Sequence, residues 1–178
     1  MRLFIAFSFS QIPDTVKAAQ QTLGQLPAKQ ILSQQLHLTF KFLGNVREEI
    51  VAECKKRLHS VAWKPIRAHL KGIGVFPSES YVRVVWLGAE PTAEICALQK
   101  QIDAALTGLF PPEKEFTVHM TLARIKNITD GKTFHSKLKE ISIAPVEFVI
   151  DSFELMQSDL TPNGPKYTVV EKYCAKVS

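Results

Sequence analysis

Two short segments of the chain carry the same arrangement of side chains. The first is Leu36-His37-Leu38-Thr39-Phe40 and the second is Val118-His119-Met120-Thr121-Leu122. Each reads apolar, His, apolar, Thr, apolar. Side chains of a strand alternate between its two faces. Each segment, folded as a strand, therefore buries its apolar residues on one face and offers an imidazole and a hydroxyl together on the other. Histidine is the side chain whose ordinary pKa, about 6.5, lets it take or give a proton near neutrality. Two imidazoles on opposite sides of one reacting group can act as base and acid in the same step. Two threonine hydroxyls can donate hydrogen bonds to oxygens on which negative charge grows. Opening a cyclic phosphodiester asks for that set: a base to activate water, an acid for the departing ribose oxygen, and donors to the non-bridging oxygens.

With five histidines in the chain, random placement gives about 0.3 His-x-Thr matches, so one match would carry little weight. Two, on apolar alternating segments, carry more, and their positions decide the matter. The other histidines, His59, His69 and His135, have no Thr two residues on and read as structural or surface residues. Alternation places Lys41 on the face of His37 and Thr39, within reach of a phosphate. It places Arg124 on the face opposite His119 and Thr121, unless a bulge re-aims it. Phe42, Tyr81 and Tyr167 are candidates for stacking on a base. Two histidines far apart in the chain, accompanied by Thr and not by Asp or Glu, make a poor metal set, and no metal or cofactor is expected. Cys54, Cys96 and Cys174 are odd in number and widely spaced, which fits neither a disulfide framework nor a zinc site.

The elements that would hold the two motifs repeat. Residues 2–8 predict a strand, and Ile12, Val16, Ala19 and Leu23 recur at helical spacing. A second strand covers 36–43. Asn45 with Glu48 suggests a capping box for a helix facing inward through Ile50, Val51, Cys54, Leu58 and Val61. A third strand covers 66–75 and ends before Phe76-Pro77. The pattern then restarts: a strand from Tyr81 to Leu87, a helix opened by Pro91 with Ile95, Leu98, Ile102, Ala105 and Leu109 inward, and strands over 117–124 and 146–156. The segment 130–141 is ambiguous, and a last strand runs through Tyr167, Val169 and Tyr173. The expected fold class is α+β, one domain over 1–178. Its two pseudo-symmetric lobes are each a mainly antiparallel sheet with helices on the outer side, and the cleft lies between them.

Bulk properties agree. A chain of 178 residues supports one substantial core. A formal charge of +5 suits a polyanionic partner such as RNA. The apolar start Met1 to Ser8 is too short for a leader and is followed at once by Gln11 and Pro13-Asp14. No apolar run approaches the length of a membrane span, so a cytoplasmic location is expected.

The chain resembles the 2H (two-histidine) phosphoesterase superfamily, in its RNA 2′,3′-cyclic phosphodiesterase branch, also called 2′-5′ RNA ligase. The resemblance runs over nearly the whole chain. It rests on Met1-Arg2-Leu3-Phe4-Ile5-Ala6, on His37 to Gly44, on Gly72-Ile73-Gly74-Val75-Phe76-Pro77, and on His119 to Arg124. It closes with Ser158-Asp159-Leu160 and Gly164-Pro165-Lys166-Tyr167. Phe40 stands where Leu is usual and Val118 where Pro is common; both stay apolar. The resemblance implies hydrolysis of a terminal 2′,3′-cyclic phosphate to a 2′-phosphomonoester, and a reverse reaction that joins RNA through a 2′-5′ linkage. It implies His37 as proton donor and His119 as acceptor. Thr39, Thr121, Arg124 and Lys41 would bind substrate. RNA ends, tRNA fragments among them, are the implied partners of a monomer without an obligate protein partner. A phosphodiesterase for small cyclic phosphates would use the same residues. A non-catalytic RNA-binding module would be expected to have lost one motif, and both are intact.

Overall fold

A computed structural model describes residues 1–161 and 164–176. Its elements run β1 (Arg2–Ser8), α1 (Asp14–Gly24), β2 (Ala28–Leu32), β3 (His37–Asn45), α2 (Glu48–Leu58), β4 (Ile66–Ser78), β5 (Tyr81–Glu90), α3 (Thr92–Ala105), β6 (Met120–Ile128), α4 (Gly131–Glu140), β7 (Glu147–Ile150), β8 (Ser152–Thr161) and β9 (Gly164–Cys174). The fold is α+β, as the sequence predicts. The strands form a sheet in the order β7-β4-β5-β6-β3-β1-β8-β9, with β2 on β6. The pairings between strands are antiparallel.

The two motif strands, β3 and β6, lie side by side at the centre and meet through one residue pair, Leu38 with Met120. To one side lie the four strands β3-β1-β8-β9, and to the other β6-β5-β4-β7 with β2 added on β6. These halves are not the halves of the chain. β4, the third strand of the first repeat, pairs with β5 of the second. β8, from the second repeat, pairs with β1 of the first. The repeats thus exchange their third strands.

The segment 146–156, read from sequence as one strand, breaks at Asp151. Its first part, β7, pairs with β4, and its second part, β8, crosses to β1. Two other expectations also change, and one segment left open by the sequence takes a definite form. β4 continues through Phe76-Pro77 to Ser78. Asn45 ends β3, Arg47 is the N-cap of α2, and no side chain caps that helix, so the Asn45–Glu48 capping box does not form. The segment 130–141 is helical: the Asp130 side chain accepts a hydrogen bond from the Thr133 N–H at 3.1 Å, as an N-cap aspartate does. β2 has no counterpart among the strands that the sequence predicts.

The helices pack on one side of the sheet because their apolar residues recur at helical spacing. Val16, Ala19 and Leu23 of α1, Val51, Cys54 and Leu58 of α2, Ile95, Leu98 and Ile102 of α3, and Phe134 and Leu138 of α4 are buried. They join one apolar core with Leu3, Ile5 and Phe7, which point inward from β1. The alternate residues Phe4 and Ala6 form a separate small cluster with Met156 and Tyr167, on the opposite face of the sheet. Cys96 is half-buried and Cys174 exposed; only Cys54 is fully buried, and all three are free thiols. Among the described residues, no helix is long and apolar enough to cross a membrane.

Candidate active site

A bulge follows each His-x-Thr motif, and the two bulges decide what faces the cleft. Along the β1–β3 pairing, Ala6 faces Thr39 and Ile5 faces Lys41, so Phe40 is one residue in excess. Along the β5–β6 pairing, Trp86 faces Thr121 and Val85 faces Ala123, so Leu122 is in excess. An extra residue reverses the alternation beyond it. Phe40 and Lys41 therefore both turn to the helix side, and so do Leu122 and Ala123; all four are buried. Phe42 and Arg124 come round to the face of the histidines. Phe42 is 66% exposed, with its ring 6.2 Å from that of Phe4. Arg124 lines the same cavity as His37 and Thr121.

Lys41 is thus not a substrate ligand. It is 3% exposed, and its ammonium is bound by the Asp103 carboxylate of α3 and by the Pro111 carbonyl at 2.7 Å. Asp103 also accepts the Glu113 N–H at 3.0 Å, so the pair fastens the loop after α3 beneath the motif strand. Removing one partner of a buried pair strands the other charge and typically costs about 3–5 kcal/mol. Asp103→Ala should lose about that much stability in urea unfolding, and the double variant Lys41→Met/Asp103→Leu should recover most of it. A loss below about 1 kcal/mol would place the pair with ordinary surface pairs.

His37 opens β3 and His119 immediately precedes β6; the antiparallel Leu38–Met120 contact directs His37 toward Thr121 and His119 toward Thr39, so the two histidines lie diagonally across the junction, close enough for each charge to be felt by the other. Their surroundings match. His37 Nδ1 is 3.2 Å from the Gln35 carbonyl and His119 Nδ1 is 2.9 Å from the Thr117 carbonyl. A carbonyl can only accept, so in each ring Nδ1–H donates. Among the described residues Nε2 of each ring has no hydrogen-bond partner, which leaves it open to proton exchange. The His37 ring lies against Phe4 at 5.5 Å and Tyr167 at 5.0 Å. The His119 ring lies against Phe76 at 5.0 Å and Trp86 at 6.2 Å. Burial among these rings disfavours the charged imidazolium and is the main reason that both pKa values fall. His37 drops to about 4, with the Arg124 guanidinium and His119 pushing the same way. His119 is also lowered, again by burial first and by Arg124 as well. Arg124 also acts on the Tyr167 hydroxyl, whose pKa burial raises and Arg124 pulls back.

Of the residues singled out from sequence, His37, His119, Thr121 and Arg124 come together. Thr121 is half-buried and lines the cavity; Thr39 is 8% exposed on the floor beside it and does not line it. The Ser158 to Tyr167 stretch forms one rim through Thr161 and Pro165 to Tyr167; residues 162 and 163 of that stretch lie outside the described residues. Tyr167 packs on His37, and Tyr81 is exposed beside Arg83. The remaining histidines are occupied elsewhere: His59 with Glu171 at 2.7 Å, His69 near Glu90 at 3.7 Å, and His135 with the Gly131 carbonyl at 2.6 Å. Among the described residues, no three His, Cys, Asp or Glu side chains converge as a metal ion would need.

Sequence reading misses the aromatic cradles, Phe4 for His37 and Trp86 for His119, because each comes from a neighbouring strand. A glycine is the available signal for the second. A Cβ built at Gly74 would stand 2.1 Å from the Trp86 indole, so the ring lies flat where only glycine leaves room. Gly74→Ala should push Trp86 off its seat. The expected result is a stability loss of about 1–3 kcal/mol from overpacking and an altered His119 titration by NMR, with His37 less affected. An unchanged His119 titration would show that Trp86 does not position that ring.

A family model described as the 2′-5′ RNA ligase superfamily matches residues 10–162. A protein of Methanocaldococcus jannaschii, named RNA 2′,3′-cyclic phosphodiesterase, is 34% identical over 176 residues, covering 97% of this chain and 100% of the relative. One of the same name from Archaeoglobus fulgidus is 34% identical over 170 residues, 94% of this chain and 96% of the relative. A crystal structure from Thermus thermophilus matches with a TM-score of 0.76 at 31% identity, over 98% of this chain and 97% of that one. Escherichia coli LigT complexed with 3′-AMP shares the fold, with a TM-score of 0.69 at 19% identity over 99% and 98% of the two chains.

Proposed function

This chain belongs to the 2′-5′ RNA ligase superfamily, and from that membership we propose that it is an RNA 2′,3′-cyclic phosphodiesterase working by metal-free acid–base catalysis between His37 and His119. The observation that carries the reading is the matched pair of imidazoles. Each has Nδ1 engaged by a backbone carbonyl two residues upstream, and both feel the same Arg124. Both come from one chain, so a monomer spanning 1–178 as one domain suffices. RNA ends, tRNA fragments included, are its proposed substrates and the cytoplasm its proposed location.

In the proposed step, neutral His119 takes a proton from water at Nε2 while the water oxygen attacks phosphorus. The P–O3′ bond breaks, and protonated His37 gives its proton to O3′. The phosphate remains on O2′ as a monoester. Arg124 and the hydroxyls of Thr121 and Thr39 stabilise the charge that grows on the non-bridging oxygens. With a pKa of about 4, His37 is neutral in the empty cleft at neutral pH. The anionic phosphodiester offsets the push of Arg124 and favours the imidazolium where the proton is needed. If an RNA 5′-hydroxyl takes the place of water, the same transfers leave a 2′-5′ linkage, which is the proposed ligase reaction.

An oligoribonucleotide ending in a 2′,3′-cyclic phosphate tests the reading. The expected product is the 2′-phosphomonoester, identified by its resistance to a 3′-specific phosphatase. A 3′-phosphomonoester would mean that O2′ leaves and would reverse the assignment of substrate orientation; no turnover would remove the function.

A further inference from the structure

The outer end of the β4–β5 hairpin overhangs the sheet. β4 pairs with β7 only from Ile66 to His69, and β5 pairs with β6 only from Val84 to Leu87. Past Phe76 and Val84 the two strands pair with each other alone among the described residues, as far as Ser78 and Tyr81. Phe76 stands where the overhang begins, with its ring 5.0 Å from that of His119 and 5.1 Å from that of Trp86. Between the hairpin end and α4 lies a cavity of about 350 Å³, so the packing beneath the hairpin is incomplete.

One side chain spans the gap. His135 of α4 sets Nδ1 2.6 Å from the Gly131 carbonyl of its own helix and Nε2 2.5 Å from the Glu79 carbonyl in the hairpin turn. The helix it stands on is held by Phe134, which is fully buried, and by Leu138. A carbonyl oxygen only accepts, and a neutral imidazole has one N–H to give. Two ring nitrogens on two carbonyls therefore call for the imidazolium. Resting on the two-histidine reading above, we propose that His135 is a positioning residue for His119: its imidazolium ties the hairpin turn to α4 and keeps Phe76 against the His119 ring, and loss of its proton slackens that seat.

The surroundings leave the choice to that proton. The charged residues that share the cavity with His135 are Glu79 of the turn and Lys139 of α4. β4, β5 and the segment after α4 contribute Ile73, Val75, Val82 and Ile141. Asp130, at the start of α4, is engaged by Thr133 through both carboxylate oxygens. The ring is bonded to neutral carbonyls and to none of these charges. Both bonds hold on the acid side. As pH rises and the ring gives up its proton, one nitrogen sets a lone pair against a carbonyl, and ring and turn can no longer keep both distances.

The link to the reaction runs through Phe76, three residues before Glu79 in the same hairpin. Among the described residues, the hairpin end has one other side-chain hydrogen bond to the body of the protein, from Arg83 to the Lys126 carbonyl at 2.7 Å. That bond holds the β5 side; the β4 side, which carries Phe76, is held by His135. Phe76 meets His119 edge to face, at 85°, and His119 is the proposed base. A displaced base slows proton transfer more than it weakens binding.

The indole N–H of Trp86, buried and without a hydrogen-bond partner, is the reporter, because its ring touches both Phe76 and His119. Its NMR signal in the wild type should shift with pH in two steps, one following His119 and one following the His135 ring signals. In His135→Ala the second step should vanish. On a 2′,3′-cyclic phosphate, His135→Ala should lower kcat about tenfold and leave KM within about twofold. His135→Gln, whose amide can donate to the Glu79 carbonyl at any pH, should restore most of kcat, still without the second step. An indole signal that ignores His135, a His135→Ala enzyme with wild-type kcat, or a Gln variant as slow as the Ala variant would overturn the assignment and leave the phosphodiesterase reading intact. Absence of turnover in the wild type would remove that reading, and the indole titration would then decide the His135 contact by itself.

Discussion

Replacing His37 or His119 by alanine should lower kcat/KM on a 2′,3′-cyclic phosphate by about 10²–10⁴-fold, the usual contribution of a positioned acid or base. In the proposed reaction each ring has one task that no neighbour can take over. Of the aromatic rings around them, Phe4, Phe76, Trp86 and Tyr167, only Tyr167 carries an ionisable hydroxyl, and burial raises its pKa above the ordinary value of 10, far from neutrality. The double variant should be little worse than the poorer single one, because groups that act on one transition state do not lose their effects additively. Both rings are partly exposed, so the variants should fold, which urea unfolding would confirm. Wild-type activity in either variant would take that histidine out of the reaction. Losses that multiply would mean that the two rings act in separate steps.

Arg124→Ala should cost about 10²–10³-fold in rate, as loss of a charge-stabilising donor does at a preorganised site. It should also leave a second signature. The guanidinium lowers the pKa of both histidines, so its removal favours each imidazolium. Both pKa values should rise, and the residual pH–rate profile should move toward higher pH. Arg124→Lys keeps the charge but not the planar fork. It should hold the profile near its wild-type position while recovering only part of the rate. A slow Arg124→Ala enzyme with an unmoved profile would place Arg124 in substrate binding alone, without electrical contact with the pair.

Arg124 and Lys41 also show how far the sequence could be read. The His-x-Thr motifs, the alternating strands around them and the helical faces of α1, α2 and α3 are local patterns, and the structure places them accordingly. Strict alternation, however, sends Lys41 into the cleft and Arg124 away from it, and the structure does the reverse. The cause is one extra residue in each strand, Phe40 and Leu122. A bulge is a property of a strand and its partner together, so it has no signature in either alone. The same holds for the break at Asp151, where an unbroken β-like run serves two different strands. It holds for the cradles of the two histidines, assembled from β1 and β9 on one side and β4 and β5 on the other. The exchange of third strands between the repeats follows from pairings between distant segments. The duplication in the sequence announces two similar units and leaves open which strand joins which.

The pH dependence of kcat/KM for the wild type, measured on a 2′,3′-cyclic phosphate in EDTA, tests the central claim most directly. This quantity reports the free enzyme, in which both histidines lie below their ordinary 6.5 and His37 lies near 4. One ring must be protonated and the other neutral, and that form is most populated between the two lowered values. The predicted result is a bell with its apex on the acid side of about 6.5, unchanged by EDTA. The profile of kcat should lie at higher pH, because the bound phosphate favours the imidazolium. A profile with a single limb, an apex well into the alkaline range, or activity lost in EDTA and restored by added metal would contradict a two-histidine, metal-free reaction.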